Sequence, residues 1–284
     1  MPIFSAPDGT ELAYHVTGQG DPLLCLPGGP MRASAYLGDL GGLSRHRRLF
    51  LLDLRGTGDS AVPADPATYR CDRQVDDVEA FRAHLGLERV DLLAHSAAGD
   101  LALLYAARYP DRIRIRTLTS VTGRARALGV DFTEEHRREA AARRGAEPWF
   151  AAAYDAYERI WAGSTADADW DAVAPFFYGR WDATAQAHAE TEVEQTNEEA
   201  ADLYASAGAF EPGAARAAVA TLDARVLLLA GELDSGPLPR VAATVAELFP
   251  EGELIVQPGA GHHPWLDDPR RFTETVTAFL DRAR

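Results

Sequence analysis

The stretch from Val90 to Leu104, VDLLAHSAAGDLALL, constrains this chain more than any other. It opens as an apolar run too short for a helix, passes Ser96 among small residues, and then turns helical. Leu101, Leu104, Tyr105 and Arg108 recur at i, i+3, i+4 and i+7, the spacing of one helix face. A strand that turns abruptly into a helix, with a serine at the apex, is the geometry of a nucleophile elbow. Such a turn holds the serine oxygen above a sheet and aims the amide of Ala97 at the place where an oxyanion would form. The positions two before and two after the serine must be small because the two backbones approach closely. Ala94 and Ala98 stand there, where glycine is usual, and alanine costs room wherever the turn needs positive φ. A buried strand-turn-helix with an incidental serine fits these residues too, so the rest of the chain has to decide.

The apolar runs Leu23–Leu26, Leu49–Leu52, Thr117–Val121, Arg225–Ala230 and Leu254–Val256 read as strands of a largely parallel sheet, buried on both faces. Ile3–Ser5 and Leu12–Val16 read as a hairpin around the turn residues Pro7, Asp8 and Gly9. Helical spacing is expected near Ala35–Leu43, Val75–Leu85, Leu238–Phe249 and Phe272–Leu280. From Gly123 to about Ala220 strand signals vanish and aromatics fall at helical intervals. The expectation is an α/β fold, a mostly parallel sheet flanked by helices, formed by residues 1–122 and 221–284, with a helical cap inserted at 123–220.

Composition removes several alternatives. A formal net charge of −15 argues against nucleic-acid and anionic-membrane partners. All 28 basic residues are arginine, and without lysine neither Schiff-base chemistry nor a phosphate-binding P-loop is available. Cys25 and Cys71 form no spaced framework. The eight histidines include no H-x-x-x-H or H-x-H pair, so no metal and no cofactor is expected. Met1–Thr10 has neither a basic nor an apolar leader region, and no run approaches a membrane span, so a cytoplasmic protein acting on a small molecule is expected.

The polar residues then fall in a pattern. Ser96, Asp234 and His262 each follow a predicted parallel strand, the edge where ligands bind in open α/β sheets. A serine hydroxyl needs a base to accept its proton, and the base needs a partner to hold its tautomer. His262 in a Gly-rich turn can serve as the first and Asp234 as the second, in the chain order that accompanies a strand-turn-helix nucleophile. Gly28 and Gly29, just past a buried strand, are candidates for a second oxyanion donor beside Ala97. Asp53 and Arg55 are expected to shape their loop. His263 is a second candidate base. A helix cap at Asp234 and an exposed loop histidine at His262 are the plainer readings of each residue alone.

Leu26-Pro27-Gly28-Gly29-Pro30, Asp53-Leu54-Arg55-Gly56-Thr57-Gly58-Asp59-Ser60, Ala94-His95-Ser96-Ala97-Ala98-Gly99 and Gly259-Ala260-Gly261-His262-His263-Pro264-Trp265 together resemble the α/β-hydrolases, and more narrowly their prolyl iminopeptidase-like branch. The resemblance implies a serine hydrolase acting through an acyl-enzyme, a prolyl iminopeptidase-like aminopeptidase on small substrates, with Ser96 as nucleophile, His262 as base, Asp234 as orienting acid, and the amides of Gly29 and Ala97 as oxyanion hole. Pro27 stands where that branch has a histidine and Met31 where it has a glycine, which weakens any transfer of substrate class. An aminopeptidase must also hold a free α-amino group, for which a carboxylate is suited. The stretch Glu190, Glu192, Glu194, Glu198 and Glu199 offers several, with Glu194 taken as the candidate. Gly28, Pro30, His95, His263, Trp149, Trp161, Phe177 and Trp181 are further candidates for the substrate pocket. The alternatives are a carboxylesterase or lactonase using the same triad and a non-catalytic ligand-binding protein of this fold.

Overall fold

The computed structural model describes residues 1–113 and 117–282. Eight strands form one sheet in the order β1-β2-β4-β3-β5-β6-β7-β8: β1 Ile3–Ser5, β2 Glu11–Thr17, β3 Pro22–Leu26, β4 Arg48–Leu52, β5 Leu92–His95, β6 Thr117–Val121, β7 Arg225–Gly231 and β8 Gly252–Gln257. β1 and β2 pair antiparallel, β2 also runs antiparallel to β4, and every other pairing is parallel. The register aligns His95 with Val121, Val121 with Leu229, and Gly231 with Gln257. The ends of β5, β7 and β8 therefore lie along one sheet edge, which is where three loops can meet.

Side-chain alternation along the strands builds a core on each face. Leu24, Leu26, Leu92, Ala94, Leu228 and Ala230 pack with the helices Cys71–His84 and Ala98–Arg108. Leu23, Cys25, Leu93, Leu227 and Leu229 point the other way, onto Trp265, Phe272, Val276 and Phe279. The last three belong to the Pro269–Asp281 helix. Between β6 and β7 the chain forms α- and 3-10 helices and no named strand, with one isolated bridge, Thr196 to Arg32, reaching the rest of the chain. Trp149, Phe150, Tyr157, Trp161 and Phe176 pack together there as a separate apolar cluster. Among the described residues no helix is long and apolar enough to cross a membrane.

The helix expected over Ala35–Leu43 does not form. The segment holds two short 3-10 turns, Ser34–Leu37 and Leu43–Arg45, separated by positive φ at Gly38, Leu40, Gly41 and Gly42. Four residues in the left-handed region cannot continue a right-handed helix, and the apolar spacing alone did not reveal that.

Candidate active site

Ser96 follows directly on β5 and takes φ 52°, a left-handed conformation that non-glycine residues rarely adopt and that costs about 1 kcal/mol or more. Three backbone hydrogen bonds hold it there: its N–H donates to Val121, and its carbonyl accepts from Gly99 and Arg124. Neither Ala94 nor Ala98 has positive φ, so alanine at those positions carries no backbone strain. The tight approach falls instead at Gly99, where a Cβ would lie 2.5 Å from the Arg124 carbonyl oxygen.

The structure brings Ser96, His262 and Asp234 together. Ser96 Oγ lies 2.8 Å from His262 Nε2. His262 Nδ1 lies 2.9 and 3.1 Å from the two carboxylate oxygens of Asp234. Asp234 is fully buried and also accepts the Gly236 amide at 2.9 Å. With Nδ1–H donating to that carboxylate, His262 leaves its Nε2 lone pair to accept from the serine hydroxyl.

The base loop is fixed from two sides. The His262 amide donates to the Phe177 carbonyl at 2.7 Å, and the Phe177 ring meets the imidazole edge-on with centroids 5.8 Å apart. Gly261 is wedged so tightly that a Cβ would stand 2.7 Å from the Phe177 carbonyl oxygen. The Asp267 carboxylate accepts the amides of Gly261, Gly179 and Arg180, clamping this loop to the 177–180 turn. Burial of that carboxylate raises its pKa, an effect the three amide hydrogen bonds oppose. Sequence reasoning missed Asp267, whose only signal is an acid in the first turn after Pro264.

Gly28 sits against the elbow: a Cβ there would be 2.6 Å from the His95 carbonyl oxygen, 2.8 Å from Ser96 Cβ and 3.2 Å from the Ala97 nitrogen. Its own amide donates to the Tyr36 hydroxyl at 2.7 Å. The other glycine, Gly29, is exposed. Pro30, next in the chain, is half-buried.

Other candidates are placed elsewhere. His95 is buried behind the triad, its Nδ1 on the Tyr36 hydroxyl at 2.6 Å and its Nε2 on the His262 carbonyl at 2.9 Å. With both ring nitrogens engaged, it has none left to offer a substrate. His263 is buried in an aromatic cage, stacked on Tyr178 and edge-on to His188 and Trp265. Burial holds the pKa values of His95 and His263 well below the ordinary histidine range, and that of His188 down to about 4. Trp149 packs on Phe176 and Trp161 stacks on Tyr157 within one apolar cluster, and Trp181 lies against Tyr178. Glu194 is exposed on the short Glu192–Gln195 helix, and Glu190, Glu192, Glu198 and Glu199 face solvent as well. Asp53 and Arg55 are structural. Asp53 accepts from the amide and hydroxyl of Ser34 and from the Asp59 amide. Arg55 forms a two-pronged buried pair with Asp77.

With this geometry in place, comparison with known proteins is informative. The family model of the alpha/beta hydrolase fold matches residues 21–269. The proline iminopeptidase of Lactobacillus helveticus is 35% identical over 124 residues, a stretch covering 41% of this chain and 42% of that protein's own length. Among solved structures, proline iminopeptidase from Mycobacterium smegmatis aligns with a TM-score of 0.75 at 23% identity, over 99% of this chain and 98% of that one. The esterase RhEst1 from Rhodococcus sp. ECU1013 aligns with a TM-score of 0.74 at 24% identity, over the full length of both chains.

Proposed function

Since the chain belongs to the alpha/beta hydrolase fold family, we propose that it is a serine hydrolase that cleaves small acyl esters through an acyl-enzyme. The observation that carries this reading is the continuous chain from Ser96 Oγ through His262 to Asp234, with links of 2.8 and 2.9 Å. Ser96 Oγ attacks the ester carbonyl carbon while its proton passes to His262 Nε2. The carbonyl electrons move onto oxygen, and the amides of Gly29 and Ala97 donate to that oxyanion; each such donor is worth roughly 10²–10³ in rate. His262 then returns the proton to the departing alkoxide as the C–O bond breaks. Water repeats the sequence on the acyl-enzyme, with His262 again as base. Asp234 keeps the tautomer and stabilises the imidazolium.

The helical segment 123–220 would cap the core formed by 1–122 and 221–284, with Phe177 beside the base. An ester substrate is favoured over an N-terminal peptide because the five glutamates suited to a free amine all face solvent. The second reading, an aminopeptidase, is supported by the likeness to proline iminopeptidases.

A paired assay decides between them, with p-nitrophenyl acetate and a proline arylamide offered to wild type and Ser96→Ala. Ester turnover lost in the variant supports the proposal. Arylamide cleavage lost in the variant moves the assignment to the aminopeptidase. No turnover of either, together with no fluorophosphonate labelling of Ser96, refutes the hydrolase reading.

A further inference from the structure

Tyr36 and His95 are polar, buried and outside the triad, yet they form an unbroken hydrogen-bonded path between its loops. Tyr36 is 5% and His95 2% exposed. The links are Gly28 N to Tyr36 Oη at 2.7 Å, Tyr36 Oη to His95 Nδ1 at 2.6 Å, and His95 Nε2 to the His262 carbonyl at 2.9 Å. The same carbonyl accepts from Thr122 Oγ1 at 3.0 Å.

Donor and acceptor capacity allows one arrangement of protons along this path. The Gly28 amide can only donate, so the Tyr36 oxygen accepts from it. The His262 carbonyl can only accept, so the proton of the neutral His95 ring sits on Nε2 and donates to it. Nδ1 is then bare, and the single Tyr36 hydroxyl proton is directed at it. A second proton on His95 would set Nδ1–H against the tyrosine proton. Burial opposes that charge as well.

We propose that Tyr36 and His95 are positioning residues that lock the oxyanion loop and the base loop to each other across the elbow. The inference rests on the serine-hydrolase reading above. One end of the path is the amide preceding Gly29, and the other is the backbone of the base itself. The distance between the oxyanion donors and His262 Nε2 is thus set through side chains rather than left to two independent loops. Because a misplacement of about 1 Å at a reacting group costs on the order of 100-fold, breaking the path should lower kcat without weakening substrate binding.

The test uses the full chain, p-nitrophenyl acetate, and active sites counted by fluorophosphonate labelling, so that misfolded protein is excluded from the rate. Tyr36→Phe is expected to lower kcat per labelled site about 10- to 100-fold, with KM changed less than twofold. His95→Gln can accept through Oε1 and donate through Nε2, so it is expected to keep most of the rate that His95→Leu loses. Wild-type kcat per labelled site in Tyr36→Phe, or equal loss in His95→Gln and His95→Leu, overturns the proposal. Should the leucine variant not fold, the Tyr36→Phe rate alone decides. Nitrogen-15 imidazole spectra supply a readout that needs no turnover. His95 should be neutral with its proton on Nε2, in wild type and in Ser96→Ala alike, and a proton on Nδ1 overturns the path. Correct His95 spectra in a protein that neither labels nor turns over ester would refute the hydrolase reading, and with it the catalytic use of the path, leaving the proton order intact.

Discussion

Gly28→Ala is the substitution whose consequence can be worked most directly from this structure. The added Cβ would lie 2.6 Å from the His95 carbonyl oxygen and 2.8 Å from Ser96 Cβ, where ordinary contact begins at 3.4 Å. The overlap is therefore about 0.8 and 0.6 Å, and both obstacles belong to the elbow turn rather than to the end of a flexible side chain. Gly28 does not have positive φ, so the cost is steric alone. Overpacking of this kind costs about 1–3 kcal/mol, which for a chain of this size lowers Tm by roughly 2–10 °C. The relief available is to push the oxyanion loop off the elbow by more than half an ångström, carrying the Gly29 amide with it. A displacement of that size should lower kcat about 10- to 100-fold, with KM for p-nitrophenyl acetate little changed. Gly9→Ala is the control: its φ is +87° and a Cβ there meets nothing within 4 Å. It should cost about 1–2 kcal/mol of stability through backbone strain and leave turnover untouched. The assay is steady-state ester hydrolysis beside thermal unfolding for both variants. A Gly28→Ala protein with turnover within twofold of wild type would refute the placement of this loop as the oxyanion donor.

Two further outcomes follow from backbone strain and from burial. Ser96→Gly should be more stable than Ser96→Ala by about 1 kcal/mol, because glycine adopts the left-handed φ of 52° without its Cβ cost; both should be inactive, and denaturant unfolding of the pair gives the difference. Acid should unfold the protein early. Burial lowers the pKa of His188 to about 4 and those of His95 and His263 well below their ordinary value. The folded chain therefore holds these rings neutral while the unfolded chain protonates them near pH 6.5. Their contribution is complete above about pH 6.5 and is lost as pH falls, for His188 toward about 4. Between pH 7.5 and 5.0 His188 should remove about 2 kcal/mol, with His95 and His263 acting in the same direction, and a total loss below about 1 kcal/mol on chemical unfolding would contradict the burial of this cluster.

What could be read before the structure was whatever follows from order along the chain. Parallel strands end at a common edge, so Ser96, Asp234 and His262 could be assigned to one site from their positions after strands alone. The concern over Ala94 and Ala98 resolves through facts that one sequence does not display. The positive φ belongs to Ser96 itself, and the close approach falls one residue later, at Gly99 against Arg124. The 35–43 segment failed as a helix because Leu40 joins three glycines in the left-handed region, and leucine gives no warning of that. The roles of Tyr36, Asp267 and Arg32 depend on partners at long sequence separation, such as Arg32 on Gln195, His188 and Thr191. Periodicity cannot find such pairs. Aromatic spacing is the same whether a ring faces a ligand or a neighbouring helix, so it cannot tell a pocket role from a packing role for Trp149, Trp161 and Trp181.

Those long-range partners also tie the helical segment to the loops around Ser96 and His262. It is tied to the oxyanion side by the Ala33 amide on the Gln195 carbonyl at 2.8 Å, the Asn197 amide on the Met31 carbonyl at 3.0 Å, and the buried Arg32 guanidinium. It is tied to the base side by the His262 amide on Phe177 and by the Asp267 clamp. Swinging the segment away as one body would break backbone hydrogen bonds at both anchors. It would also take from Arg32 its hydrogen bonds to Gln195, His188 and Thr191. The base loop would lose the donor-acceptor pair that fixes the backbone of His262 in the same motion. The 123–220 segment and the loops carrying Met31–Ala33 and His262 are therefore joined through backbone hydrogen bonds, so a change in the 177–180 turn or at 195–197 reaches those loops without touching the side chains of Ser96, His262 or Asp234.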